Sequence, residues 1–267
     1  MTTFTSEDHN NAKKLVDEAP YHPGYEDAAI KMSDKGYEEC NLADAIRFKM
    51  KRDKKRFWAG DNISEYIAES DKEHLINEAT VAFEKVLDTL LIDRENDPNS
   101  KGTARRLAKM YYNEIMAGRY ESAPKATAFP NDGEERYEGM LVVRSELRSM
   151  CSHHHQPVSG VAYIGIIAAN KLIGLSKYTR IAQWCARRGT LQEELCNDIA
   201  REIMKATDSE NVAVYIQAVH GCCENRGIMA HSSLTQTTVL KGAFQQDPAT
   251  KKEFMDNIKL QQEFAPR

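Results

Sequence analysis

Two short clusters hold the residues best suited to chemistry: Cys151-Ser152-His153-His154-His155, and much later His220-Gly221-Cys222-Cys223. A thiolate and an imidazole three residues apart can share one metal ion when they flank a turn, and a distant thiolate can close a three-ligand set. Mixed sulfur and nitrogen donors select zinc over magnesium or calcium. Three protein ligands leave a fourth position for water, which is the pattern of a catalytic site. Cys151, His154 and Cys222 make such a set, although spacing alone leaves His153, His155, His220 and Cys223 available as well. A lone cysteine on a helical pattern reads as a small core residue, and Cys185 and Cys196 are expected to be that. Cys40 reads as core or as inert surface.

The elements that must position these clusters can be read from periodicity. Ser70 and Glu73 have capping-box spacing. From Leu75 to Leu91 the apolar residues then follow a helical period, which Asp97-Pro98 ends. A second helix is expected over 103–117, closed by Gly118. A strand follows at 140–148, with Leu141, Val143, Ser145 and Leu147 on one face, and another at 158–168. Helices over 176–188 and 191–207 and strands over 212–220 and 234–244 complete an α-α-β-β-α-α-β-β order. That order implies an α+β fold with an antiparallel sheet.

The first quarter of the chain differs from the rest. Residues 1–75 carry 12 Lys+Arg against 16 Asp+Glu, so the whole net charge of −4 sits there and the remainder is balanced. Turn signals at Pro20, Pro23-Gly24, Gly36 and Gly60-Asp61-Asn62 suggest a loosely structured extension with short helices, one over 42–55. A basic run, Arg47 to Arg56 with Phe57 and Trp58 beside it, offers either a patch for an anionic partner or a solvated helix face whose aromatics dock on the main domain. The expected division is an acidic extension over 1–69, a helical region over 70–118 and a catalytic domain over 119–267.

The composition, 41% hydrophobic and 28% charged over 267 residues, is that of a soluble globular protein. The near-neutral balance argues against a nucleic-acid-binding coat. Six cysteines are too few for a disulfide scaffold and suit reduced thiols in the cytoplasm. The N-terminus shows no apolar leader, and the longest apolar stretch, 161–169, is less than half of a membrane span.

Ordered motifs between about residue 100 and residue 257 resemble the GTP cyclohydrolase I family. The run from Thr103 to Tyr111 is similar to the family's TPxRxAKMY helix, and Cys151 to His154 to its CEHH. Gly174 to Arg180 is similar to GLSKxxR, Gln192 to Leu195 to QERL, and His220 to Gly227 to HxCxxxRG. Asp247-Pro248 and Phe254 fall where the family's closing helix begins.

The resemblance implies the tunnelling fold: an antiparallel four-stranded sheet with helices on one face, preceded by a helical region. Five subunits form a ring and two rings a decamer, with active sites between subunits. It implies Zn2+ held by Cys151, His154 and Cys222, and GTP as substrate. Arg106, Lys109, Arg180 and Arg226 would hold the triphosphate through charge-assisted contacts. Glu193 would accept hydrogen bonds from guanine N1–H and the 2-amino group, a donor pair that adenine lacks. Gln192 and Ser176 would be neighbouring polar contacts. A zinc-activated water would attack C8, His220 would protonate N7 and His153 would assist later proton transfers. C8 would leave as formate, and 7,8-dihydroneopterin triphosphate would be the product.

Some positions depart from the family pattern. Ser152 stands where the family usually has Glu, Ala104 for Pro, Gly102 for Asp and His155 for an apolar residue. Two other functions fit a departure at Ser152 or the fold alone: a guanine-nucleotide-binding protein with altered catalysis, and another tunnelling-fold purine or pterin enzyme. The Cys/His/Cys set argues against the three-histidine zinc site of the pyruvoyl-pterin type.

Overall fold

The computed structural model describes residues 41–264. Expectations placed on residues 1–40, Cys40 and most of the acidic extension among them, lie outside the described residues. The chain divides at Glu114/Ile115 into two compact units.

In the first unit, helix α1 (Leu42–Arg52) begins where the Asn41 side chain accepts a hydrogen bond from the Asp44 amide. The Glu78 carboxylate accepts two more, from the amides of Leu42 (2.7 Å) and Ala43 (3.2 Å). These bonds satisfy amides that have no partner within the helix. Ala45, Ile46, Phe48 and Met50 are buried, so the chain is ordered well before residue 70. The short helix expected over 42–55 is thus present and ends at Arg52. Much of the basic run is neutralised locally. Arg47 pairs with Asp44, Arg52 with Asp53, Arg56 with Asp61 and Lys55 with Glu65.

Helix α2 (Asp71–Thr89) starts without the expected capping box. Ser70 is itself helical and its side chain makes no cap bond. Asp71 accepts from the Ala68 amide instead, and Glu73 pairs with Arg105. The helix also ends before Leu90 and Leu91; Leu91 takes a left-handed φ of 60° and is exposed. Helix α3 (Thr103–Met110) carries Arg106 and Lys109 on its exposed side, and a π turn, Tyr111–Ile115, follows it. Arg106 donates to the Asn99 carbonyl (3.0 Å) and the Thr103 hydroxyl (2.9 Å).

The second unit is built on four antiparallel strands in the order β2-β3-β5-β6. After a short helix α4 (Ala117–Tyr120) and strand β1 (Ala128–Pro130), β2 (Met140–Met150) and β3 (Pro157–Ile167) form a long hairpin. Strand β4 (Lys171–Ile173) pairs with β1 in a small second sheet. Helices α5 (Leu175–Ala186) and α6 (Gln192–Thr207) come next. Strand β5 (Val212–His220), a one-turn helix α7 (Gly221–Glu224) and strand β6 (Thr235–Leu240) follow. Helices α8 (Ala243–Gln246) and α9 (Pro248–Phe264) close the unit. The strand expected over 234–244 is thus cut short, because Gly242 turns the chain with a left-handed φ of 57°.

Side chains alternate between the two faces of a strand. Leu147, Ala162, Ile164, Ile166, Val214 and Ile216 face α5 and α6 and pack on Ile181, Cys185, Cys196 and Ile199. Leu141 and Val143 lean on this same core, as the sequence pattern requires. Cys185 and Cys196 are fully buried, and burial pushes their thiols up to about 12 and about 11. The two long helices stand on one face, and the closing helix α9 adds cover on the other. There Tyr163, Ala213 and Tyr215 pack on Phe244, Phe254 and Ile258. Burial on both faces is why the run from Val161 to Ile167 reads as almost continuously apolar.

Candidate metal centre

The register of the sheet brings the two chemical clusters together. The hairpin loop, residues 151–156, joins the end of β2 to the start of β3, and Val158 on β3 pairs with His220 at the end of β5. The loop is drawn tight by hydrogen bonds from the His155 amide to the Cys151 carbonyl (2.9 Å) and from the Cys151 amide to the Gln156 carbonyl (3.0 Å). His155 takes a left-handed φ of 52° within it. Gly221 lets β5 turn directly past β3: a β-carbon there would lie 3.0 Å from the Pro157 carbonyl oxygen.

The donor atoms of Cys151, His220 and Cys222 all lie within 4.8 Å of one another. Cys151 is buried, and His220 and Cys222 are half-buried. Two thiols and an imidazole, with no carboxylate in the group, are the donor set for a soft or borderline cation, and zinc fits it. Burial pushes the Cys222 thiol up to about 11, and the neighbouring Cys151 adds to the shift. A cation among the sulfurs reverses that balance, because metal binding displaces the thiol protons. His154 is exposed on the hairpin loop and lies outside the three-residue group. Its ring centroid is 6.4 Å from that of His153, the two rings nearly perpendicular, and His153 and His155 are also exposed.

Gln192 has a more specific place than a polar contact would need. It opens α6 and is only 4% exposed. Its Nε2 donates to the Thr237 hydroxyl (3.1 Å), the Thr235 carbonyl (3.2 Å) and the Ile216 carbonyl (3.3 Å). Its Oε1 lies 2.7 Å from His220 Nε2. Burial holds the His220 imidazole below its usual pKa, and the Glu193 carboxylate offsets part of that shift. Sequence reasoning missed Thr235 and Thr237, because two threonines in a strand carry no chemical signature.

The remaining candidates are exposed. Ser176 and Arg180 lie one turn apart on α5, where residues at this spacing share a face. Glu193 lies in the first turn of α6 and Arg226 just beyond α7. Ser152, half-buried, follows Cys151 in the hairpin loop. Arg106 and Lys109 belong to the first unit.

Comparison with known proteins agrees with this chemistry. The family model described as GTP cyclohydrolase I matches residues 79–259. A protein of Flavobacterium johnsoniae named GTP cyclohydrolase 1 is 41% identical over 183 residues, covering 68% of this chain and 80% of that protein. Proteins of the same name from Aeromonas salmonicida and Shewanella sp. (strain ANA-3) are 38% and 36% identical over 176 and 179 residues. These matches cover 65% and 66% of this chain and 79% and 82% of the relatives.

Proposed function

The chain belongs to the GTP cyclohydrolase I family, and from that premise we infer that it opens the imidazole ring of GTP, releases C8 as formate and forms 7,8-dihydroneopterin triphosphate. The observation that carries this reading is the convergence of Cys151, His220 and Cys222 from the ends of β2 and β5, which flank the start of β3 at one end of the sheet.

We assign Cys151 and Cys222 as zinc ligands and His154 as the third, since it leaves the same tight loop as Cys151. When bound, zinc supplies Lewis acidity and a water whose pKa falls to roughly 7. His220, held by Gln192, is then kept for proton transfer to guanine N7. His153 is assigned to later proton transfers on the ribose side. Glu193 accepts from guanine N1–H and the 2-amino group, with Ser176 as a further polar contact. Arg106, Lys109, Arg180 and Arg226 are assigned to the triphosphate on the family's motifs.

Assembly into a decamer of two pentamers, with sites completed between subunits, is part of this proposal. Strands β2 and β6 are the edges of the four-stranded sheet, and open edges are templates for pairing with another chain. Among the described residues no helix is long and apolar enough to cross a membrane. A thiol-based centre suits the reducing cytoplasm.

Incubating the zinc-loaded protein with GTP is expected to release one formate per dihydroneopterin formed. GTP that binds and is recovered intact would favour a binding protein with altered catalysis, the alternative that Ser152 raises. Glu193→Ala is expected to raise KM for GTP by roughly tenfold or more, the effect of losing hydrogen bonds to a charged group. Unchanged KM and kcat would remove Glu193 from guanine recognition.

A further inference from the structure

We propose that Gln192 is a positioning residue that fixes His220 as the Nε2–H tautomer, with the imidazole lone pair at Nδ1. The proposal rests on the function inferred above and adds the atom at which the proton is held.

The argument begins with the orientation of the amide. One end of the Gln192 side chain faces three oxygens, the carbonyls of Ile216 and Thr235 and the hydroxyl of Thr237. Two carbonyl oxygens can only accept, so the amide end facing them must be the NH2 group. That leaves Oε1 toward His220, 2.7 Å from Nε2. Oε1 is also only an acceptor, so Nε2 must carry a hydrogen and donate it. In a neutral imidazole the lone pair is then on Nδ1.

The clamp is rigid because of where its parts come from. Gln192 is 4% exposed, and its three acceptors lie on β5 and β6. The amide therefore cannot turn over without placing its oxygen against two carbonyls in a site shielded from water, where an unmet polar group is costly. A ring held in one tautomer presents the same nitrogen at every turnover. In a serine-protease triad, losing the residue that orients the imidazole lowers kcat by roughly 10⁴-fold.

Two measurements on the full-length protein test this. In protein labelled with 15N-histidine, two-bond 1H–15N correlations identify the tautomer of His220, assigned by its loss in His220→Asn. The expected result is Nε2–H; an Nδ1–H ring would overturn the proposal, and this arm needs no Gln192 variant to fold. The second arm measures zinc content, KM and kcat in Gln192→Leu. Gln192→Leu is expected to lower kcat by roughly a hundredfold or more with zinc content and KM near wild type. A rise in KM as large as the fall in kcat would make Gln192 a substrate contact and overturn the positioning role. Wild-type protein that shows Nε2–H but releases no formate would sink the inferred activity while leaving the orientation of His220 established.

Discussion

Cys222→Ala is expected to yield a folded protein with no zinc and no measurable turnover. Cys222 follows β5 by one residue beyond Gly221, and its sulfur lies within 4.8 Å of the donor atoms of Cys151 and His220. Removing it takes a soft donor from a three-ligand set, and two remaining ligands hold zinc far more weakly. The alanine costs little in packing, because Cys222 is half-buried at the margin of the core. Metal analysis of the purified variant beside a circular dichroism spectrum separates metal loss from unfolding. Full zinc with full activity would remove Cys222 from the centre. The same measurement on two histidine variants decides the third ligand. His154→Ala is expected to lose zinc, whereas His220→Ala is expected to retain it and to lose kcat by roughly a hundredfold or more, as for an acid–base group. The reverse result would make His220 the ligand and move proton transfer to the histidines of the hairpin loop.

Phe254→Ala is expected to destabilise the second unit by about 3–5 kcal/mol, the range for emptying a large aromatic from a core. Phe254 is fully buried on α9 and meets Phe244 edge to face, with ring centroids 5.5 Å apart. Its ring sits where β3 has no side chain: a β-carbon at Gly165 would fall 2.6 Å from it. The cavity cannot be refilled from the strand, so collapse recovers little of the loss. Urea unfolding followed by near-ultraviolet circular dichroism should show the midpoint fall with the slope unchanged. A midpoint within error of wild type would mean that α9 contributes little to the stability of the sheet.

Both variants draw on features of unequal legibility in the sequence. The strands at β2, β3 and β5 were readable to within about two residues: β2 repeats an apolar position every second residue, and β3 and β5 are short apolar runs. The alternation of Leu141, Val143 and Leu147 identified the face that meets α5 and α6. Local end effects were less legible. Ser70 and Glu73 had the spacing of a capping box, yet Glu73 is committed to Arg105, a partner 32 residues away. Leu90 and Leu91 continued the period of α2 but lie beyond its end. Periodicity reports which residues are apolar, and it cannot report that the backbone has already turned.

The site shows the same division. Residue types and motif order were enough to single out Cys151, Cys222 and the nearby histidines, to make zinc the fitting metal and to indicate the family. Donor chemistry belongs to the side chain and survives any fold that gathers it. Tertiary structure alone decided which imidazole stands beside the two sulfurs, since the β3–β5 register carries His220, with its chain neighbour Cys222, up to Cys151. It also decided that Gln192 is shut in behind His220, its amide oriented by oxygens from two strands. Hydrogen-bond direction and proton placement depend on distances of a few ångströms between remote segments, and those distances exist only once the sheet has formed.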